Sequence, residues 1–247
     1  MIFANDENGQ RTSTETALKN RRYFCPGCNS PMILRQGEIN IWHFAHEKDN
    51  ACDLTTENKM TAWHYNHQAD FDKEYREIVL EHDGVKHIAD IKCGNLIIEF
   101  QHSPISNKVF EERNDFYRQF GMLFWVFDMR DQCASERILK HGKAYKWEHA
   151  NRTLAKDDFQ ILSRNNMRIF FELLHGTLVE VTWNKQGMKY FSGQAFDPYR
   201  FRKYAEWYAE SKTSFNYLPH HGNEYFYDHR QQLKDAYMEQ LRGGAGA

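Results

Sequence analysis

Strong charge of one sign is missing from this 247-residue chain: 32 lysines and arginines stand against 34 aspartates and glutamates, for a formal net charge of −2. There is no global basic field to draw in nucleic acid, so any such partner must be held by local patches. Long apolar runs are also missing, and no segment reaches the length of a membrane span. The opening residues, MIFANDENGQR, carry acids where a secretory leader has a basic and then an apolar stretch, which points to a cytoplasmic protein without a membrane partner. Cysteines number only five, two of them in a CxxC, and in that compartment they favour metal binding over disulfides. Core material is ample: 41% hydrophobic and 15% aromatic residues argue against disorder and suit one medium domain with an appendage, or two domains.

The stretch YREIVLEHDGVKHIADIKCGNLIIEFQHS, residues 75 to 103, reads as three short strands joined by the hairpin turns Asp83-Gly84 and Gly94-Asn95. A turn at Gly94-Asn95 sets Asp90 opposite Glu99, and a turn at Asp83-Gly84 sets Glu77 opposite Asp90. Strand alternation then puts Lys92 and Gln101 on the side of the two carboxylates. Directly opposed Cβ atoms lie about 4.5 to 5.5 Å apart, and like charges so placed repel unless a cation sits between them. Asp-x8-Glu-x-Gln is thus a candidate site for Mg²⁺ or Mn²⁺ of the kind that hydrolyses phosphodiesters. Solvated charges on the open face of an antiparallel sheet would give the same letters.

The neighbouring elements favour the metal reading. A helical stretch at 60 to 73 precedes the meander, another at 106 to 119 follows it, and MLFWVFDM at 122 to 129 is fit for a buried strand. The order α-β-β-β-α-β is that of the PD-(D/E)XK, restriction-endonuclease-like core, an α/β (α+β) fold. CPGC, WHFAH, the cysteine of ACD, TAWH, HIADIK, IEFQHSPIS, EERNDFY and LFWVFD, in that order, resemble the CoiA-like competence protein family over residues 1 to 147. The resemblance implies a small zinc-binding module followed by a nuclease domain that handles incoming or foreign DNA. It also implies an acid two residues before His64 and a lysine four residues after it, where this chain has Ala62 and Gln68. The first helix of this nuclease class supplies a carboxylate that Ala62 cannot. Either the chain is present here in a form altered to inactivate it, or Glu57 or Glu77 takes over, or the enzyme is naturally degenerate. Arg113 and Tyr117, four apart on a helix, resemble a pair that supports the site or touches the DNA backbone.

In the segment 23 to 53, Cys25-Pro-Gly-Cys28 forms a tight knuckle suited to tetrahedral zinc. Three residues compete for the other two positions: His46 and Cys52 are the expected partners, and His43 the alternative. A closed four-ligand site would be structural, replacing core packing that so short a module cannot supply. Expected divisions are a zinc module at 1–58, a nuclease core at 59–150 and a C-terminal extension at 151–247. In the extension, MRIFFELLHGTLVEVTW reads as a hairpin about His175-Gly176, and Asp197-Pro198 opens an amphipathic helix. Arg200, Arg202 and Lys203 among Tyr199, Phe201 and Tyr204 fit either a nucleic-acid surface or a solvated helix face over an aromatic core.

The expected function is metal-dependent hydrolysis of DNA. Asp90 and Glu99 would hold the cation, Gln101 would orient water or phosphate, Glu77 and His64 would contribute from neighbouring elements, and Arg113 would clamp the phosphate backbone. Alternatives are a catalytically degenerate DNA-binding or adaptor protein, with a protein partner or as a homo-oligomer, and a nuclease subunit of a phage-defence system.

Overall fold

A computed structural model describes residues 1–37, 41–47, 61–148, 166–185 and 189–210. Among these, the N-terminal strands β1 (Phe3–Asp6), β2 (Arg11–Ser13), β3 (Tyr23–Phe24), β4 (Pro31–Arg35) and β5 (His43–His46) form a five-stranded sheet in the order β2-β1-β3-β4-β5. Contrary to expectation, this module buries a small core of its own, made of Ala4, Ala17, Tyr23, Cys25, Met32 and Phe44. Tyr23 and Phe44 pack with ring centroids 4.9 Å apart.

The chain then runs through α1 (Ala62–Ala69), β6 (Arg76–His82), β7 (Val85–Cys93), β8 (Leu96–Gln101), α2 (Asn107–Tyr117), β9 (Met122–Asp128), α3 (Arg130–Ala134), β10 (Ile138–His141) and β11 (Ala144–Trp147). It ends with β12 (Met167–Glu172), β13 (Leu178–Lys185), β14 (Tyr190–Phe196) and α4 (Pro198–Glu210). The expected α-β-β-β-α-β order is therefore present from α1 to β9. The Asp83-Gly84 turn holds φ of +50° and +76°, the left-handed pair that a two-residue hairpin of matching twist requires. Ser106, extended at φ −75°, caps α2 by accepting the amide of Val109.

One nine-stranded sheet, ordered β10-β11-β14-β13-β12-β9-β8-β7-β6, carries both the meander and the C-terminal hairpin. β8, β9 and β12 are parallel neighbours. β9 is apolar on both sides because both faces are covered. Leu123, Trp125 and Phe127 pack with Phe110, Phe116 and Tyr117 of α2. Met122, Phe124 and Val126 pack with Phe201, Tyr204 and Tyr208 of α4. Since Phe201 and Tyr204 are buried, and Arg202 and Lys203 both pair with Glu206, α4 shows a solvated face over an aromatic core rather than a basic aromatic surface. The α4 terminus seats on the meander at Gly94, where a Cβ would lie 2.1 Å from the Ala209 carbonyl oxygen.

The meander departs from regularity at one level. Ala89 belongs to the α2-side core and Ile91 to the α4-side core, although residues two apart on a strand normally share a face. The alternation changes phase at Asp90, and across from it Glu77 adopts φ +45°. On the other side of β7, the recorded pairing with β8 stops at Ile91↔Ile98. The expected register is kept, but the ladder opens where the carboxylates begin.

Candidate active site and metal centre

Asp90 and Glu99 occupy the fork where β7 and β8 part, and their side chains take up amides that the ladder no longer pairs. Asp90 Oδ2 accepts the Phe100 amide at 2.8 Å, and Glu99 Oε1 lies 3.4 Å from the Asp90 amide nitrogen. On the α1 side, His64 Nε2 is 2.8 Å from Asp90 Oδ1, and Gln68 Nε2 reaches the same oxygen at 3.2 Å. His64 and Gln68, four apart, thus meet Asp90 from one helical face. On the α2 side, Arg113 Nη1 bonds Glu99 Oε2 at 3.0 Å. Arg113, expected as a clamp on a substrate phosphate, is bound to a protein carboxylate. Tyr117 donates to the Ile88 carbonyl at 3.2 Å beneath the same fork.

The electrostatics follow from burial. Glu99 is 3% exposed, and desolvation together with the nearby Asp90 charge pushes its carboxyl up to about 7, against the opposing pull of Arg113. Burial works against an imidazolium at His64, but the Asp90 carboxylate outweighs it and raises the pKa. The amide oxygen of Gln68, fully buried, has no hydrogen-bond partner among the described residues.

The other expected participants lie elsewhere. Glu77 accepts the amides of Ile2 (2.9 and 2.8 Å) and Phe3 (3.0 Å), so its carboxylate anchors β1 instead of joining Asp90. Gln101 is 4% exposed and donates to the Ser103 carbonyl at 2.5 Å, and Lys92 donates to the Gly94 carbonyl. Neither side chain is recorded on the carboxylates. Lys108 and Arg118 pair with Glu112 and Asp115 on the exposed side of α2. Ala62 is exposed with Asn66 and Ala69, on the face of α1 turned away from His64 and Gln68. An acid at that position would point away from the fork.

A group missed in the sequence lies at the carboxyl ends of β8, β9 and β12. Glu172 Oε2 receives Trp63 Nε1 and lies 2.5 Å from His67 Nε2, while Asp128 holds His102 Nδ1 at 2.8 Å and two nitrogens of Arg130 at 2.8 and 2.7 Å. His102 and Asp128 stand inside stretches already singled out, but Glu172 comes from the C-terminal hairpin, 105 residues beyond His67. Only the parallel pairing of β12 with β9 brings it there.

In the N-terminal module, ligand atoms of Cys25, Cys28 and His46 all lie within 4.8 Å of one another. Cys28 Sγ and His46 Nε2 are 3.4 Å apart, as two ligands of one tetrahedral zinc with bonds of about 2.0 to 2.3 Å would be. Asn29, at φ +59°, bends the knuckle so that its amide bonds the Cys25 carbonyl at 2.8 Å. This cluster could hold a metal such as zinc. His43 faces the other side of β5, with Nδ1 2.8 Å from the Ile41 carbonyl. Cys52 lies outside the described residues.

Residues 7–55 match the family model described as the N-terminal domain of competence protein CoiA, and residues 84–181 match the one described as its nuclease-like domain. Competence protein CoiA of Bacillus subtilis (strain 168) is 27% identical over 146 residues, covering 54% of this chain and 39% of that protein. No solved structure gives a significant match. The zinc-type cluster and the carboxylate fork fall within the two matched regions, which together span more than half of the chain. They define a chain that combines a cluster able to hold a metal with a nuclease-like domain. The chain belongs to the CoiA-like family.

Proposed function

We propose that this protein is a nuclease of the PD-(D/E)XK class whose substrate is DNA and whose centre is the Asp90–Glu99 fork. The carrying observation is the opened β7–β8 ladder, with Asp90 held by His64 and Gln68 and Glu99 held by Arg113. Two hard oxygen donors fit Mg²⁺ or Mn²⁺, which commonly bind through one or two carboxylates and complete their shell with water and substrate phosphate. Among the described residues no third acid joins this pair, so substrate would complete the site. When bound, the cation would polarise a phosphoryl oxygen and lower the pKa of a coordinated water.

The chain's own groups do the rest. Asp90, fixed on three sides, presents its oxygens in one orientation. His64, 2.8 Å from Asp90, would share a proton with it and pass that proton to or from the attacking water. Arg113 neutralises Glu99 and, on release, offers a guanidinium to phosphate. The zinc-type cluster has a structural role in this reading, and cytoplasmic location and the incoming or foreign DNA handled by CoiA-like proteins complete it.

A DNA-binding or adaptor role without turnover is the second reading, and the Arg113–Glu99 pair favours it, because a cation would compete with a guanidinium already 3.0 Å from its ligand. The test is cleavage of plasmid DNA, single-stranded DNA and RNA with Mg²⁺ or Mn²⁺ by the wild type and by Asp90→Asn. Cleavage by the wild type alone supports the nuclease. DNA binding by both proteins with cleavage by neither establishes the adaptor. Because position 62 faces solvent, Ala62→Glu is expected to change neither outcome.

A further inference from the structure

Three neighbouring parallel strands end at one level: Gln101 pairs in register with Phe127, and Asp128 with Glu172. In sheets of this kind, the crevice outside the carboxyl ends of the strands is where ligands bind. The level is lined by a polar group that the fork does not use. The Asp128 side chain is 5% exposed, yet it fixes two side chains that are themselves open to solvent, His102 at 40% and Arg130 at 41%. Arg130 spends Nε and Nη2 on Asp128, and its Nη1 makes no hydrogen bond among the described residues. His102 spends Nδ1 on Asp128, and its Nε2 makes no hydrogen bond among the described residues. Burial opposes the charge on Asp128, but hydrogen bonds from Arg130 and His102 win and hold its carboxyl below the usual range.

Two donors locked by one buried carboxylate are an anion site with its rotamer entropy already spent. The guanidinium lies 5.8 Å from the centroid of the Trp63 ring, which fixes it further. The group is also next to the proposed centre: Phe100, whose amide binds Asp90, is two residues before His102, which directly follows the end of β8, and His67 stacks on the Phe100 ring at 5.0 Å. We infer that His102 and Arg130, oriented by Asp128, form a subsite for a backbone phosphate of the nucleic-acid strand, flanking the phosphate that lies at the Asp90–Glu99 fork. The inference rests on the nuclease reading for its substrate class, but not on turnover. A phosphodiester placed against His102 Nε2 would meet the imidazolium form, which donates from both ring nitrogens, so that the His102–Asp128–Arg130 group carries a net charge of +1 to meet one negative charge.

The experiment is fluorescence anisotropy of a labelled single-stranded oligonucleotide across a salt series with the zinc-loaded protein and no added Mg²⁺ or Mn²⁺, so that nothing is cleaved, with the wild type, Arg130→Gln, Arg130→Lys and His102→Gln. Far-ultraviolet circular dichroism and a thermal melt check that each variant is folded. Arg130→Gln should weaken binding about tenfold, the loss of one charged hydrogen-bond donor, and should lower the slope of log K against log salt by about one. Arg130→Lys should keep that slope, and His102→Gln should weaken binding without reaching the Arg130→Gln level. An unchanged affinity and slope in folded Arg130→Gln overturns the subsite and leaves the nuclease reading in place. Failure of the wild type to bind any oligonucleotide overturns both. Competition by millimolar inorganic phosphate, with no dependence on oligonucleotide length, would assign the site to small phosphates and overturn the backbone assignment.

Discussion

At the scale of single residues, Glu99 carries the most consequential charge. Its carboxyl is pushed up to about 7 by burial and by Asp90, while the unfolded chain titrates near the ordinary value of 4.5. Between those two values the folded protein binds the extra proton, so the contribution of Glu99 to stability is greatest below about pH 4.5 and is lost as pH rises toward 7. Glu99→Gln, which cannot ionise, should flatten that part of the profile and be more stable than the wild type at pH 8, as measured by urea unfolding at several pH values. An unchanged profile would mean that Arg113 satisfies the charge fully. Cation binding, which needs the carboxylate ionised, should run the opposite way and strengthen through pH 7. The residues that face one another were readable because a two-residue turn fixes register by counting. What they bond to was not: the guanidinium on Glu99 arrives from a helix, and nothing in the letters of EERNDFY says which way Arg113 turns.

At the scale of elements, the meander and its flanking helices followed from turn residues, β-branched runs and the Ser106 cap. The break in its alternation did not, because it depends on Glu77, which accepts φ +45° in order to hold another part of the chain. Left-handed backbone at a residue with a Cβ costs about 1 to 2 kcal/mol, and here three hydrogen bonds to the amides of Ile2 and Phe3 offset it. Glu77→Ala keeps the strained backbone and removes the acceptor, so it should destabilise the protein by about 3 kcal/mol, the cost of leaving two buried amides without partners. A loss under about 0.5 kcal/mol in urea unfolding would show that β1 does not depend on this anchor. Glu172 teaches the same lesson: its place against Trp63 and His67 comes from long-range parallel pairing, which no local pattern announces.

At the scale of the whole molecule, the five-stranded module sits on the nine-stranded sheet through Glu77 and through Arg11, which reaches the carbonyls of Lys73 and Arg76. Its small core supplies packing of its own, and the proposed zinc would add to it. Cys28→Ser should lower bound zinc from one ion per chain toward none, measured by plasma emission spectrometry, and lower the melting temperature without abolishing the fold. Equal zinc in both proteins would place the ion elsewhere. The central claim, that Asp90 and Glu99 grip one divalent cation, is tested most directly by titrating Mn²⁺ into the zinc-loaded protein and following the free-ion signal by electron paramagnetic resonance. One bound Mn²⁺ in the wild type, absent in Asp90→Asn and strengthened in Arg113→Met, is the result expected. Equal Mn²⁺ binding by the wild type and Asp90→Asn, or none in any of the three proteins, would contradict it.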